Sequence, residues 1–516
     1  MTESRAGGSA IFDPMPDPPP RSSESLWMAT APLERAAPLE EDESADVCIV
    51  GAGIAGLSTA YLLARAGRDV VVVDLGREGG QETPRTTAHL TNVVDDRFTE
   101  IERLHGEEAS RLAGESHGAA IDRIEAIARE EEIDCDFERV DGWLFVQPED
   151  PADLDEELAA ARRAGLTAER HDRIPVDSFD SGPCLRFPRQ GQFHPLKYLA
   201  GLCKAIRRDG GRIYGGTRVV GVESEGAVRV KTASGKEIAA GAAVVATNAP
   251  ISERYAIHGK QAPYRTYVIA LEAPAEGVPR ALIWDTGLPY HYLRLAARDG
   301  GGELLVVGGE DHRSGTVDDE RKRYERLEAW TRERFPDAGR VVHRWSGQVL
   351  EPADGLAFIG RMGEDDVYVA TGDSGQGITH GTIAGMLISD LILGRENPWT
   401  ALYDPARKTL GALPRLAKES LGVAAGLAAR VTPGDSPDIP RGSGAVVRRG
   451  LAKVAVYRDE KGALHERSAV CPHMGCVVAW NSAEQVWDCP CHGSRFDALG
   501  RVTHAPAIGD LPPLED

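Results

Sequence analysis

Four of the eight cysteines, Cys471, Cys476, Cys489 and Cys491, fall within 21 residues of a 516-residue chain, and two histidines stand among them. Cys471-Pro-His473 and, fifteen residues on, Cys489-Pro-Cys491-His492 present two thiolates and two imidazoles at metal-ligand spacing. Such a set can close a tetrahedral zinc site. Three details argue against zinc: the flanking Gly475 and Gly493, the two extra cysteines Cys476 and Cys491, and Ser494 after the second pair.

A second group lies near the other end. Gly51-x-Gly53-x-x-Gly56 follows an apolar run, Ala45 to Val50, and opens a helical stretch, Leu57 to Ala66. Gly51 permits the sharp turn, Gly53 lets the backbone approach a pyrophosphate, and Gly56 lets helix and strand pack closely. The free N–H groups and the dipole of the helix start favour the phosphates. Asp74, 23 residues beyond Gly51 at the end of a second strand (69–75), can accept ribose hydroxyl bonds. FAD and NAD both fit such a turn. No second GxGxxG unit, as used to reduce flavin from NAD(P)H, is found.

The elements that must position these residues are legible in outline. Strand, glycine turn, helix and strand, with β-branched residues in the strands, open a parallel α/β sheet buried on both faces. Residues 97–132 read as helices, with apolar positions at three-to-four spacing. Strand-like pieces follow at 212–222, 227–231 and 242–246. Those at 264–271, 280–284, 290–295 and 303–307 suggest a second sheet, that of a substrate domain inserted into the first. Asp366 to Ala370 then leads into TGDSGQGITHG and a helix over 382–393, so the first fold closes late in the sequence.

The reading is α/β + β. Residues 1–44, proline-rich and acidic, form a flexible arm in which Ser25-Leu26-Trp27-Met28 is a local docking point. Residues 45–430 form the nucleotide-binding unit, with cofactor-binding parts about 45–95, 195–255 and 345–395. Residues 431–516, beginning with the linker 431–444, form a C-terminal all-β domain.

ADVCIVGAGIAGLSTAYLLARAGRDVVVVD, TRVVGVE, VVATNAP and the late VATGDSGQGITHGTIAGMLISDLI make residues 45–395 resemble the D-amino-acid-oxidase-like flavoproteins, which include glycine and sarcosine oxidases. The resemblance implies FAD, with Thr87 among its contacts, the backbone of Val219 on the adenine side and Gly372, Gly375 and Gly377 close to the flavin ring. It also implies oxidation of a C–N bond by hydride transfer. Amino-acid oxidases of the family carry G-x-R-P before the D-G-x-x-x-I-G segment, the Arg clamping the substrate carboxylate. Here Gly347-Gln348-Val349-Leu350 precedes Asp354-Gly355, and Val349 stands in the place of the Arg. An amine is the expected substrate, or an acid held by another group such as Arg265 or Arg294.

CPHMGC and CPCHGSRF, over about residues 431–516, resemble a Rieske [2Fe–2S] domain. The resemblance implies that Cys471 and Cys489 bind one iron and His473 and His492 the other. It also implies a disulfide between Cys476 and Cys491, and a proline loop over the cluster at His504-Ala505-Pro506. The Ser494 hydroxyl can donate to a bridging sulfide, favouring the reduced state. Phe496 stands where bc-type proteins have Tyr and forgoes a hydrogen bond to a ligand sulfur, so a potential below the top of the Rieske range is expected. TPRTTAHLT, WSGQ and AWNSAEQVWDCPCHGSRF are similar to bacterial FAD-dependent oxidoreductases that carry both centres.

Joined on one chain, the two centres imply a dehydrogenase: hydride from a small amine or amino-acid-like substrate to FAD, then single electrons through the cluster to an outside acceptor. The candidate catalytic groups are His380, in the late flavin turn, and Tyr292, in the substrate sheet; Tyr290, His291 and Tyr267 are further candidates for the pocket wall. An electron-transfer or redox-sensing protein without an organic substrate is the alternative. A cavity beside the flavin distinguishes the two.

Composition sets the bounds. With 27% charged and 42% hydrophobic residues the chain is globular, and no apolar run approaches the length of a membrane helix. A net charge of −21 opposes nucleic-acid backbones. The cluster domain carries only −2 of it, which leaves room there for an acidic electron-transfer partner. No secretory signal is read at the start, so a cytoplasmic location is expected.

Overall fold

The computed structural model describes residues 23–419 and 438–514, apart from 32, 34, 148–152, 225, 252–255 and 299. Its first sheet has eight strands. Glu43–Val50 lies at its centre, parallel to Val70–Val73 on one side and to Glu237–Val245 on the other. Val367–Thr371 adds to Glu237–Val245 in parallel, and Arg212–Tyr214 to Val70–Val73. Val70 to Val73 are wholly buried, as a central parallel strand covered on both faces requires. The expected strand 212–222 is two strands, broken at Gly215–Gly216. Its second half, Val219–Glu223, turns into a hairpin with Val228–Thr232.

A nine-stranded mixed sheet forms the second layer. Gln261–Glu272 pairs with Glu303–Arg313 on one side and with Val341–Pro352 on the other. Val341–Pro352 therefore belongs to this sheet, although 345–352 was expected among the cofactor-binding parts. His89–Leu90, from the first expected cofactor-binding part, also ends here, paired with Cys184–Gln192. Both segments run along the seam between the two sheets, where the cavity lies.

Of the arm, residues 1–22 lie outside the described residues. The described residues between 23 and 44 do not stand away from the fold. Leu26–Thr30 is a helix capped by the Ser25 hydroxyl, and Leu26 and Trp27 are 2% and 3% exposed. The Trp27 indole donates to the Thr86 carbonyl at 2.7 Å, and the Arg294 guanidinium lies over its ring. This is the segment expected to dock: burying one Trp removes ~200 Å² of surface, worth ~5 kcal/mol, which can offset the ordering of a short helix.

The linker 431–444 lies partly outside the described residues; from Ile439 the chain packs into the C-terminal domain. That domain consists of a three-stranded and a four-stranded antiparallel sheet. Trp487 and Phe496 fill its core beside Cys471, Cys476, Cys489 and Cys491. Among the described residues no helix is long and apolar enough to cross a membrane.

Candidate functional site

A cavity of about 280 Å³ runs along the seam of the two sheets. At one end Gly51, at φ +109°, turns the chain so tightly that a Cβ there would lie 2.3 Å from the Ala246 carbonyl oxygen. A Cβ on Gly56 would meet the Gly51 carbonyl oxygen at 1.9 Å. Only glycine fits either position. The turn thus offers bare backbone and the start of helix Ile54–Arg65 to the cavity. Asp74 lines the same end and fastens the loop, accepting from Ala52 N at 2.7 Å and from Gly76 N at 2.8 Å. Gly53, Thr87 and Val219 line the wall, with Gly372, Gly375 and Gly377 farther along.

The other end is walled by Thr266, Trp284, Tyr290 and Tyr292. The Tyr292 hydroxyl is 2.9 Å from Thr266 Oγ1, and its ring stacks on Tyr290 at 5.4 Å. Burial raises the Tyr292 pKa, so the phenol stays protonated. His380 also reaches the cavity; its Nδ1 is 2.9 Å from the Asp373 carbonyl oxygen. Burial and the neighbouring His117 hold His380 well below the ordinary histidine range, so it is a neutral imidazole. Tyr267 and His291 do not line the cavity. Tyr267 packs in the core of the second sheet, while His291 stacks on Trp330 beside Asp285.

Val349 does line it, so an apolar side chain stands at the position for which the resemblance implies an arginine. Neither alternative clamp is available. Arg265, 1% exposed, donates to Ser346 Oγ at 2.8 Å and faces the C-terminal domain. Arg294 is held by the Thr87 and Phe193 carbonyls at 2.6 and 3.1 Å. Acids gather instead. Asp95 faces the cavity, and the enclosing protein, then Asp96, Asp311 and Asp373, push its pKa up to about 8. Burial lifts Asp311 and Asp373 to about 7. Sequence reasoning missed Asp95, which carries no motif and meets Asp311 and Asp373 only in the fold.

In the C-terminal domain a disulfide joins Cys476 to Cys491, tying the two loops that carry Cys471/His473 and Cys489/His492. The Cys471 sulfur accepts hydrogen bonds from the Cys489 thiol, from the backbone of His473 and Met474 and from the Ser494 hydroxyl, and its pKa is lowered by them, that from Cys489 foremost. The rings of His473 and His492 stand 5.0 Å apart at 88°. Burial, then the neighbouring His258, pushes their pKa values down to about 3 and about 4, leaving both imidazoles neutral, as ligands must be. Both ring nitrogens of His473 and Nδ1 of His492 are buried without a hydrogen-bond partner.

This donor set fits a dinuclear cluster. The thiols pair with each other and the imidazoles with each other, the two-and-two division that a [2Fe–2S] centre with mixed ligands uses.

The two sites adjoin. Residues 502–505, Ala507 and Ile508 of the C-terminal domain line the cavity. The segment expected as a loop over the cluster thus also closes the flavin cavity, and Ala507 N donates to Ser494 Oγ at 3.0 Å. From the other side His258 brings its ring within 4.8 Å of His473 and 5.5 Å of His492. His258 lies in no motif, and nothing in the sequence marks it. Gln348, named in the sequence only as part of WSGQ and of Gly347 to Leu350 and given no role there, lines the cavity and donates to Gly493 O at 2.9 Å.

An elongated cavity lined by a bare glycine turn, beside paired thiols and imidazoles, defines a two-centre oxidoreductase. Residues 46–391 match the FAD dependent oxidoreductase family, DAO, and residues 430–515 match the Rieske [2Fe-2S] domain. The chain belongs to the FAD dependent oxidoreductase family; it is an enzyme whose cofactors are FAD and a Rieske-type cluster. It is 32% identical over 503 residues to YhfW of Bacillus subtilis, a protein named for a Rieske 2Fe-2S centre, covering 95% of this chain and 97% of that one. Gamma-glutamylputrescine oxidoreductase of Escherichia coli is 30% identical over 379 residues, 69% of this chain and 85% of the relative. Among solved structures, glycine oxidase from Geobacillus kaustophilus superposes with a TM-score of 0.59 at 20% identity, covering 71% of this chain and 99% of the oxidase; this likeness concerns the fold alone.

Proposed function

We propose that this enzyme is a dehydrogenase of amines, oxidising a C–N bond and sending the electrons through its own cluster to an external one-electron acceptor. The observation that carries the reading is the shared wall: the flavin cavity is closed by residues of the cluster domain, and Gln348 touches both. FAD, when bound, accepts a hydride from carbon and releases electrons singly. The amine becomes an imine, which water hydrolyses to a carbonyl compound and the released amine or ammonia.

The chain's own residues bind and orient. Gly51, Gly53, Gly56, Asp74, Thr87 and Val219 would hold the dinucleotide, and Gly372, Gly375 and Gly377 would pass beside the ring. Tyr290, Tyr292 and Trp284 would enclose the substrate and exclude water. A neutral His380 and a protonated Tyr292 suit positioning of an amine more than removal of a strongly held proton. Val349 in place of a cation, with Asp95 facing the cavity, supports an amine over an α-amino acid held by its carboxylate. Cys471 and Cys489 would ligate one iron, His473 and His492 the other. The remaining thiols, Cys48, Cys135, Cys184 and Cys203, are unpaired and buried, which suits a cytoplasmic setting.

Anaerobic mixing of the holoprotein with a panel of amines and amino acids tests the substrate class. Bleaching of the flavin by amines is expected; bleaching by α-amino acids alone would refute it.

A further inference from the structure

The cluster domain is seated by buried charge as well as by its chain connection. Arg265 of the flavoprotein unit stands 3.5 Å from Glu484 and 3.9 Å from Asp488, and Arg495 binds the same two acids at 2.7 Å each. All four side chains are at most 5% exposed. His504 stands 3.2 Å from Glu82, Ser482 donates to Asp318 at 2.7 Å, and Arg218 donates to Asp510 at 3.0 Å. Parting the domains would strand Arg265 without its acids, so the docked arrangement is the resting one.

Within this fixed geometry Gln348 spans from one site to the other. Its side chain is 4% exposed and lines the flavin cavity. Its backbone N–H donates to Glu82 at 2.7 Å, and its Oε1 is 3.4 Å from Asn248 Nδ2. Its Nε2 donates at 2.9 Å to the carbonyl of Gly493, the residue bonded to His492. The approach is so close that a Cβ on Gly493, at φ +83°, would lie 2.2 Å from that nitrogen. From cavity wall to ligand loop the path is one side chain, one hydrogen bond and one peptide unit. Electrons tunnel more readily along bonded and hydrogen-bonded paths than across gaps. His258 touches both cluster-side imidazoles but does not line the cavity, so it does not offer the same continuity.

We propose that Gln348 is the bridge by which electrons leave the flavin site for the His492 side of the cluster, with the domains docked throughout. The inference rests on the two-centre reading above. Reduced FAD, holding the two electrons of the substrate C–H bond, is oxidised in two steps. Each step reduces the cluster by one electron, protons pass to solvent, and the external one-electron acceptor reoxidises the cluster between them. Gln348 is a positioning residue; it exchanges no atoms.

Flash photoreduction of FAD in the anaerobic holoprotein, followed at flavin and cluster wavelengths, tests this without any substrate. The wild type transfers an electron to the cluster. Gln348→Glu keeps the volume but cannot donate to the Gly493 carbonyl, and Gln348→Asn is too short to reach it. Both should slow transfer at least tenfold and should alter the EPR signature and lower the reduction potential of the cluster, because a positive dipole near His492 is lost. Ser482→Ala, which removes an interface bond to Asp318 and leaves the Gln348–Gly493 bond in place, should transfer at the wild-type rate. No transfer in the wild type would refute the two-centre reading itself. Transfer in the wild type and in both Gln348 variants at one rate would overturn the bridge and leave that reading standing. Equal slowing in Ser482→Ala would also overturn it, showing that docking alone sets the rate.

Discussion

Ser494→Ala removes one hydroxyl from a fully buried position and nothing else of that size. That hydroxyl donates to the Cys471 sulfur and accepts from Ala507 N at 3.0 Å. A hydrogen bond to a charged acceptor contributes ~1.5–3 kcal/mol, and it is strongest when the centre is most negative, in the reduced state. For a one-electron couple a tenfold change in equilibrium is ~59 mV, so its loss lowers the cluster potential by ~65–130 mV. A potentiometric titration of the holoprotein, read by circular dichroism or EPR, measures this directly. Because the Ala507 amide loses its acceptor, part of the lost energy falls on both redox states and leaves the potential unchanged; the lower half of the range is therefore the firmer expectation. A potential unchanged within ~20 mV, with the cluster fully loaded, would refute the assignment of Ser494 as a donor to the centre.

Three further outcomes follow from the same geometry. Phe496→Tyr, in the domain core two residues beyond Ser494, should raise the potential by ~65–130 mV through a new hydroxyl donor to a ligand sulfur, measured by the same titration. Gly51→Ala places a Cβ 2.3 Å from the Ala246 carbonyl at a left-handed backbone position, and purified protein should lose its FAD absorbance while keeping that of the cluster. Asp95, with a pKa of about 8, holds its proton at lower pH, so amine affinity should rise as pH climbs through 8 and Asp95 ionises; in Asp95→Asn this rise should vanish, leaving KM near the wild-type value at about pH 7 and at least tenfold above it at about pH 9.

The parts legible in the sequence are those whose chemistry demands a local pattern. The turn at Gly51 admits no side chain, and its neighbouring strands are continuous β-branched runs, so motif and period agree. The disulfide and the two short loops that bring Cys471, His473, Cys489 and His492 together were readable through resemblance. What was not readable is what two distant segments make together. Arg265 was named, with Arg294, as a group that could hold an acid substrate, and it instead meets Glu484 and Asp488, more than two hundred residues away. Asp95, His258 and Gln348 gain their surroundings from sheet pairing and domain docking, which leave no trace in spacing. Ser25 to Met28 stood out as a docking point by its residue types, and Leu26 and Trp27 are indeed buried, whereas the surrounding composition pointed only to a flexible arm.

Anaerobic reductive titration with a substrate amine tests the central claim most directly, because it counts electrons. An enzyme in which FAD feeds the cluster takes up about three electrons per chain, two on the flavin and one on the cluster, and the cluster signal grows in step with flavin bleaching. Uptake of only two, with the cluster left oxidised after the flavin has bleached, would contradict the account.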